Sequence, residues 1–527
     1  MDIPKLKQGG NVQNCKPVSN SSRWLFTTIL LVVFLSSSVA WSQAGKTASK
    51  AAPGAGAPAQ VGSWTSPAML CPANGHCLVG ANLALMHNGQ VLFYYYPRPG
   101  SGPGSRSVVL DPVSGTVTDT LLTVSRDIFC SGIGIMPDGR VISTGGNAPN
   151  PPNNHSGTWN TETFDPATNL WTPQPNMNFA RWYPSTIELA DGRMLEVSGS
   201  NEIGTKLQNV METYDYHTDT WTVLPATANL PNALLDGTAY PRLTLLTSGK
   251  VFASSPAAKT YVFDPVANTW TFQSGTNFGK RYYAGHVLLP GLQKVMIAGG
   301  SPVSMNGSGT VTNTAEIIDF SQKRPIWGYT SNPMNIARMN ENLVLLPDGT
   351  VLMVGGGGGG GRYANPVLTP ELYDPVAGTW TLMAPQIGTR TYHSTAAVLP
   401  DGRVLSAGAD DKGIYQQTYE IYSPPYLFKG ARPTITAAPT SLGYNAQFTI
   451  TTPDAASITR VAVMRPTATT HADDMDQRYV DLTFTLGNGQ ITATSPLNAN
   501  YAPPGWYMLV IVNSNGVPSV MPFLQIM

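Results

Sequence analysis

The stretch PDGRVISTGG, residues 137–146, decides the fold. Its Asp-Gly pair suits a two-residue hairpin turn, because both central residues of such a turn need positive φ. Val141–Thr144 then reads as a short strand, and the two glycines remove side chains where strands crowd together. The same signature recurs as HNGQVLFYY (87–95), ADGRMLEVSGS (190–200), TSGKVFASS (247–255), LQKVMIAGG (292–300, its turn degraded), PDGTVLMVGG (347–356) and PDGRVLSAGA (400–409). These seven copies recur at a spacing of about 50 residues, a period that marks a repeat architecture.

A second signature lies between the copies: a strand ending in an aromatic-Asp pair, a turn, then Trp-Thr. Examples are ETFDPATNLWT from Glu162, ETYDYHTDTWT from Glu212, YVFDPVANTWT from Tyr261 and ELYDPVAGTWT from Glu371. Four strands per repeat, a Gly-Gly pair and a tryptophan form the kelch pattern of a β-propeller. The expected fold is all-β, with a seven-bladed kelch propeller over residues 63–430. After Tyr422 the pattern stops at a Pro-rich junction, SPPYLFKGARP. Residues 431–527 carry strand signals without kelch spacing (FTITT, RVAVMRP, YVDLTFTLGNG, GWYMLVIVNSNGVPS), which predicts a small Ig-like sandwich. The glycine run Gly355–Gly361 lacks the Lys-Ser/Thr ending of a phosphate loop and reads as an expanded blade loop.

Lys+Arg and Asp+Glu are both 31, and charged residues make up only 12% of the 527. No basic field exists to attract nucleic acid, and none is expected as a partner. Lys5, Lys7, Lys16 and Arg23 precede an apolar run, Trp24–Leu35, followed by small residues that suit cleavage after Ala40 or Ala44. The run is short for a bilayer span, yet its basic leader is long for a signal peptide. Residues 1–44 are therefore a signal peptide or an uncleaved membrane anchor. Either way the rest is exported: secreted, periplasmic or anchored at the cell surface. Residues 45–62 read as a flexible linker.

Export makes the four cysteines informative. Cys15 lies in the leader. Cys71 and Cys77 bracket the short loop PANGH and are expected to form a local disulfide. Cys130, in RDIFCSGIG, is left over. It is either a buried, inert thiol or a group with a task.

Propellers bind ligands over the central channel, so reactive residues at equivalent places in several repeats are candidates. They occur just before the hairpin strand: Cys130 in one repeat, Tyr183 (ARWYPST) in the next, Tyr392 and His393 (TRTYHST) in the last. Imidazole and phenolate suit copper(II), which favours tetragonal N,O ligation. His471, in TTHADDMDQR, supplies a second imidazole if a loop of the C-terminal domain reaches the channel; otherwise it belongs to a solvated polar loop with Asp473, Asp474 and Asp476.

At these residues the chain resembles the galactose oxidase/glyoxal oxidase family of copper radical oxidases. The motifs are FCSG at Phe129, RWYP at Arg181, YPRLTLLTSGKVF at Tyr240, TYHST at Thr391, SPPYLF at Ser423 and HADDMDQR at His471. The resemblance implies one copper ion and a protein-derived cofactor, a thioether between Cys130 and the ring of Tyr183. Tyr183 would be a copper ligand and carry a radical. Tyr392 would be the axial ligand and the base, and His393 and His471 the imidazole ligands. RWYP looks more like glyoxal oxidases, with Trp182 beside the radical ligand as a shield. Arg338 is a candidate substrate contact.

The implied activity is oxidation of small aldehydes (glyoxal or methylglyoxal type) or primary alcohols by dioxygen, with hydrogen peroxide as product, by a monomer. The competing reading is an exported kelch propeller that binds protein or glycan without redox chemistry. A hydrolase is disfavoured, since no arginine cluster or paired carboxylates stand out at repeat-equivalent positions.

Overall fold

A computed structural model describes residues 56–95, 104–120, 126–148, 156–235, 240–254, 256–303, 310–361, 363–411 and 414–527. The expected leader and most of the expected linker lie outside them. Among the described residues, seven antiparallel sheets are built from the repeats. Their first strands are Asn82–Leu85, Gly132–Ile135, Ser185–Glu188, Leu243–Leu245, Gly285–Leu288, Met339–Leu345 and Ser394–Val398. Each pairs with the strand of its own hairpin. Successive first strands stand next to one another, and the last stands beside the first. His286 Nε2 lies 3.2 Å from the Leu243 carbonyl and ties the fourth to the fifth. The sheets therefore ring an axis as a β-propeller.

A ring of sheets must be closed, and here strands from before the first repeat close it against the last. Ser63–Trp64 and Ala68–Met69 pair with Thr418–Ser423 as outer strands of the last sheet. Trp64 Nε1 donates to the Ala384 carbonyl at 2.8 Å. The end of the expected linker differs from expectation: Pro58–Val61 forms a helical turn whose Val61 carbonyl accepts from Tyr422 Oη at 2.7 Å. Cys71 and Cys77 are joined in a disulfide.

The paired glycines have a definite task. A Cβ on Gly145 would sit 2.3 Å from the Arg181 carbonyl, and one on Gly355 2.6 Å from the Arg390 carbonyl. The end of each hairpin strand thus presses against the chain that leads into the next sheet, and both glycines have positive φ.

That same chain carries a repeated buried ion pair. Arg181–Glu212 (3.0 Å), Arg281–Glu316 (2.8 Å), Arg338–Glu371 (2.7 Å) and Arg390–Glu420 (3.1 Å) all have side chains 0–1% exposed. Each glutamate also accepts two backbone N–H bonds, for example from Asn335 at 2.7 Å and Ile336 at 3.0 Å onto Glu371. This corrects two expectations. Repeat-equivalent arginines do exist, and each is already matched by a carboxylate. Arg338 is one of them, enclosed between sheets, and is not available as a substrate contact.

The C-terminal residues form two sheets. One orders Ser441–Leu442, Phe523–Ile526, Gly505–Asn513, Ile458–Arg465 and Arg478–Asp481; the other orders Gln447–Thr451, Gln490–Thr494 and Phe484–Gly487. Met464, Met508 and Val510 belong to the same apolar core as Leu345, Leu399 and Val404 of the propeller. The whole from Ala51 to Met527 is one compact unit. One strand leaves the sandwich altogether: Ala468–Thr470 pairs with Asn82–Ala84 and becomes part of the first propeller sheet.

Candidate active site

Every blade but the first approaches its inner strand through a residue in the left-handed region. These are Cys130 (φ 58°), Tyr183 (63°), Tyr240 (54°), Tyr283 (59°), Asn340 (63°) and His393 (66°). Left-handed backbone costs a non-glycine residue about 1–2 kcal/mol, so its recurrence needs a return. Part of the return is visible in the backbone. Tyr183 N–H donates to Cys130 O at 3.0 Å, Tyr240 N–H to Tyr183 O at 2.9 Å and Asn340 N–H to Tyr283 O at 2.8 Å. The turn thus links neighbouring blades by hydrogen bonds near the axis. It also makes Cys130 and Tyr183 neighbours, although 53 residues separate them.

His471 reaches the same place from the C-terminal side. Ala468–Thr470 and Asp473–Asp474 form a hairpin in which Thr470 faces Asp473. His471 (φ 52°) and Ala472 (φ 62°) are its two turn residues. Both are left-handed, the conformation that usually selects Asn-Gly. The expected loop is therefore a tight hairpin tip, and Asp473 beside it is 1% exposed rather than solvated.

The five residues expected to act together do meet. Cys130, His393 and His471 are buried, with ligand atoms all within 4.8 Å of one another. Cys130 Sγ lies 3.5 Å from His471 Nε2. Tyr183 and Tyr392 share a hydrogen bond between their hydroxyls. The Tyr392 ring lies 3.9 Å from His393 and 5.2 Å from His471, and the Tyr183 ring 4.8 Å from His471. Trp182, partly exposed, packs its ring 4.0 Å from that of Tyr183 at a steep angle.

Electrostatics and hydrogen bonds fit this donor set to a metal ion. Burial pushes the Tyr183 phenol well above its usual range, with Cys130, Tyr392 and Tyr240 adding to the shift. A bound divalent cation acts in the opposite direction and drives such protons off. Both imidazoles are oriented through Nδ1. Thr470 Oγ1 is 2.6 Å from Nδ1 of His471, and Asp410 Oδ2 is 3.3 Å from Nδ1 of His393. Tyr95 Oη donates to the same Asp410 oxygen at 2.7 Å. Such outer partners fix which nitrogen a metal would meet, and they leave Nε2 of both rings for it.

Sequence reasoning missed three members of the ring of left-handed residues. Tyr240 packs edge-on against Tyr183 and tilted against His471, each at 4.8 Å, and donates to the Ser131 carbonyl at 3.1 Å. Tyr283 lies 5.7 Å from Tyr392. Asn340 follows it in the ring. For Tyr283 and Asn340 a signal existed: NFGKR (277–281) and NIAR (335–338) precede them as NFAR (178–181) precedes Tyr183.

Known proteins give the comparison its frame. Residues 104–426, more than half of the chain, match the model of the glyoxal oxidase N-terminus family, and residues 432–526 that of the galactose oxidase-like early set domain. A galactose oxidase of Gibberella zeae is 30% identical over 465 residues, which cover 81% of this chain and 65% of that protein. The chain thus spans a little under two thirds of the galactose oxidase it matches. Aldehyde oxidase GLOX of Vitis pseudoreticulata is 27% identical, over 80% of this chain and 86% of that protein. A solved fungal alcohol oxidase of the AA5 family, in complex with copper, superimposes with a TM-score of 0.77. It is 26% identical and covers 89% of this chain and all of its own.

Proposed function

We propose that this chain, which belongs to the galactose oxidase/glyoxal oxidase family of copper radical oxidases, is an exported oxidase of small aldehydes or primary alcohols that reduces dioxygen to hydrogen peroxide. The observation that carries the reading is the convergence of two phenols, two imidazoles and one thiol in a single buried cluster. A kelch propeller that only binds a partner has no use for that set, least of all at strained backbone positions.

The residues divide the work. His393 and His471, each held through Nδ1, would present Nε2 to copper, with Tyr183 and Tyr392 as the oxygen donors. Copper supplies a one-electron acceptor and a position for substrate and dioxygen. Cys130 would be consumed in a thioether with the Tyr183 ring: its S–H bond and one ring C–H bond break, a C–S bond forms, and dioxygen takes up the two hydrogens. The sulfur would donate electron density and make that ring easier to oxidise. Tyr392 takes the hydroxyl proton of an alcohol or aldehyde hydrate, a general-base role that needs hydrogen-bond reach. Tyr183 would be the group placed to receive the carbon-bound hydrogen of the substrate. Trp182 shields that ring from solvent.

The test is a panel of aldehydes and primary alcohols with coupled peroxide detection. Copper-loaded protein should release one peroxide per substrate oxidised, and Tyr183→Phe should release none above background. Equal turnover by wild type and Tyr183→Phe would sink the assignment.

A further inference from the structure

His471 stands on a hairpin tip whose two residues are both left-handed and neither of which is glycine. A tip of that kind does not hold itself; something outside it must. Asp473, the next residue along and 1% exposed, places Oδ1 3.2 Å from His286 Nδ1 and Oδ2 3.3 Å from Arg242 Nη1. Arg242, 4% exposed, donates from Nη2 to the His471 carbonyl at 3.0 Å, from Nη1 to the Tyr240 carbonyl at 3.2 Å and from Nε to the Ala284 carbonyl at 3.2 Å. His286 reaches the Leu243 carbonyl with its other nitrogen. One guanidinium therefore joins the hairpin tip to the approach turns of two blades, and one carboxylate completes the contact from the hairpin side.

We propose that Arg242, Asp473 and His286 are positioning residues for His471: an ionic clasp that holds the C-terminal hairpin at the propeller axis and thereby sets the geometry of the copper site. The inference rests on His471 being a copper ligand. The two histidines are then held by unlike means. His393 sits on the propeller itself, with Asp410 against its ring. His471 arrives from the other part of the chain and depends on a clasp that grips its backbone. The clasp touches neither substrate nor copper. Its effect reaches the site only through the place of one imidazole.

The experiment uses the full exported chain loaded with copper. Asp473→Asn removes the charge while keeping the shape, Arg242→Lys leaves one donor group where three were used, and His286→Gln removes a single contact. Loss of outer-partner support costs metal sites about 10–100-fold in affinity. Asp473→Asn and Arg242→Lys should therefore weaken copper(II) binding by that range and change its electron paramagnetic resonance spectrum. Glu371→Gln, which breaks a blade ion pair with no contact to the hairpin, is the control: it should lower the melting temperature and leave copper affinity and spectrum at wild-type values. If Asp473→Asn behaves like this control, the clasp is only structural and the proposal fails. If Asp473→Asn does not fold, His286→Gln carries the same test with a smaller expected change. His471→Ala separates the layers. A His471→Ala protein with wild-type copper affinity and spectrum would overturn the ligand assignment and the clasp with it. Loss of copper there, with Asp473→Asn unchanged, would overturn the clasp alone.

Discussion

The blade ends and the axis of this propeller follow opposite rules. Between the sheets, one solution repeats: Arg181, Arg281, Arg338 and Arg390 each meet a glutamate that also accepts two backbone N–H groups. At the axis, the backbone solution repeats but the side chain varies: one cysteine, three tyrosines, one asparagine and one histidine. Repetition fixes the frame, and variation at one position per repeat supplies the chemistry. A repeat-equivalent residue is thus scaffold when its type recurs together with its partner, and a candidate for function when its conformation recurs while its partners differ. Arg338 belongs to the first kind and Tyr183 to the second.

The largest effect that tests this division is at the axis. Tyr392→Phe should lower kcat about 10²–10⁴-fold, the usual worth of a general base, while the melting temperature stays near wild type. A large loss of stability instead would put Tyr392 with the scaffold. Between the sheets the outcome reverses. Glu316→Gln leaves a buried guanidinium uncompensated and should cost about 3–5 kcal/mol in denaturant unfolding, with turnover per folded, copper-loaded molecule unchanged.

A smaller and pH-dependent effect is expected at Glu196, fully buried between Thr144 (2.9 Å) and Thr186 (2.8 Å). Burial raises its carboxyl from 4.5 to about 8. The folded state keeps the proton where the unfolded state has lost it. The group's contribution to stability is therefore fully present below pH 4.5 and lost as pH rises toward 8. Glu196→Gln should flatten that part of a stability-against-pH curve and gain stability at pH 8; an unchanged slope would show that Glu196 ionises normally. The smallest effect is at the surface. Arg193→Ala loses an exposed pair with Asp191 and should cost no more than about 1 kcal/mol, by the same denaturant measurement.

Much of the fold was legible because a repeated hairpin leaves a repeated signature. Asp-Gly turns, glycine pairs and Trp-Thr strands, in varying combination, mark most of the sheets, and the end of the kelch pattern at Tyr422 marks the last. Cys130, Tyr183, Tyr392 and His393 were legible by register alone. For His471 the residues left a ligand and a solvated polar loop both open, since nothing local announces that Ala468–Thr470 would join the propeller sheet that begins with Asn82. Arg338 was misread because an arginine before a strand looks reactive until its glutamate is found, and that partner lies 33 residues further on. The roles of Tyr240 and of the clasp of Arg242, Asp473 and His286 were not legible for a similar reason. Their meaning lies in positive φ and in contacts between distant segments.

The most direct test of the central claim is the intact mass of the protein with and without copper under air, mapped by tryptic digestion, beside Cys130→Ser. The account predicts that copper-treated wild type lacks two hydrogen atoms and yields a joined Cys130–Tyr183 peptide pair, and that Cys130→Ser does neither. A Cys130 thiol that survives copper and dioxygen unchanged would contradict it.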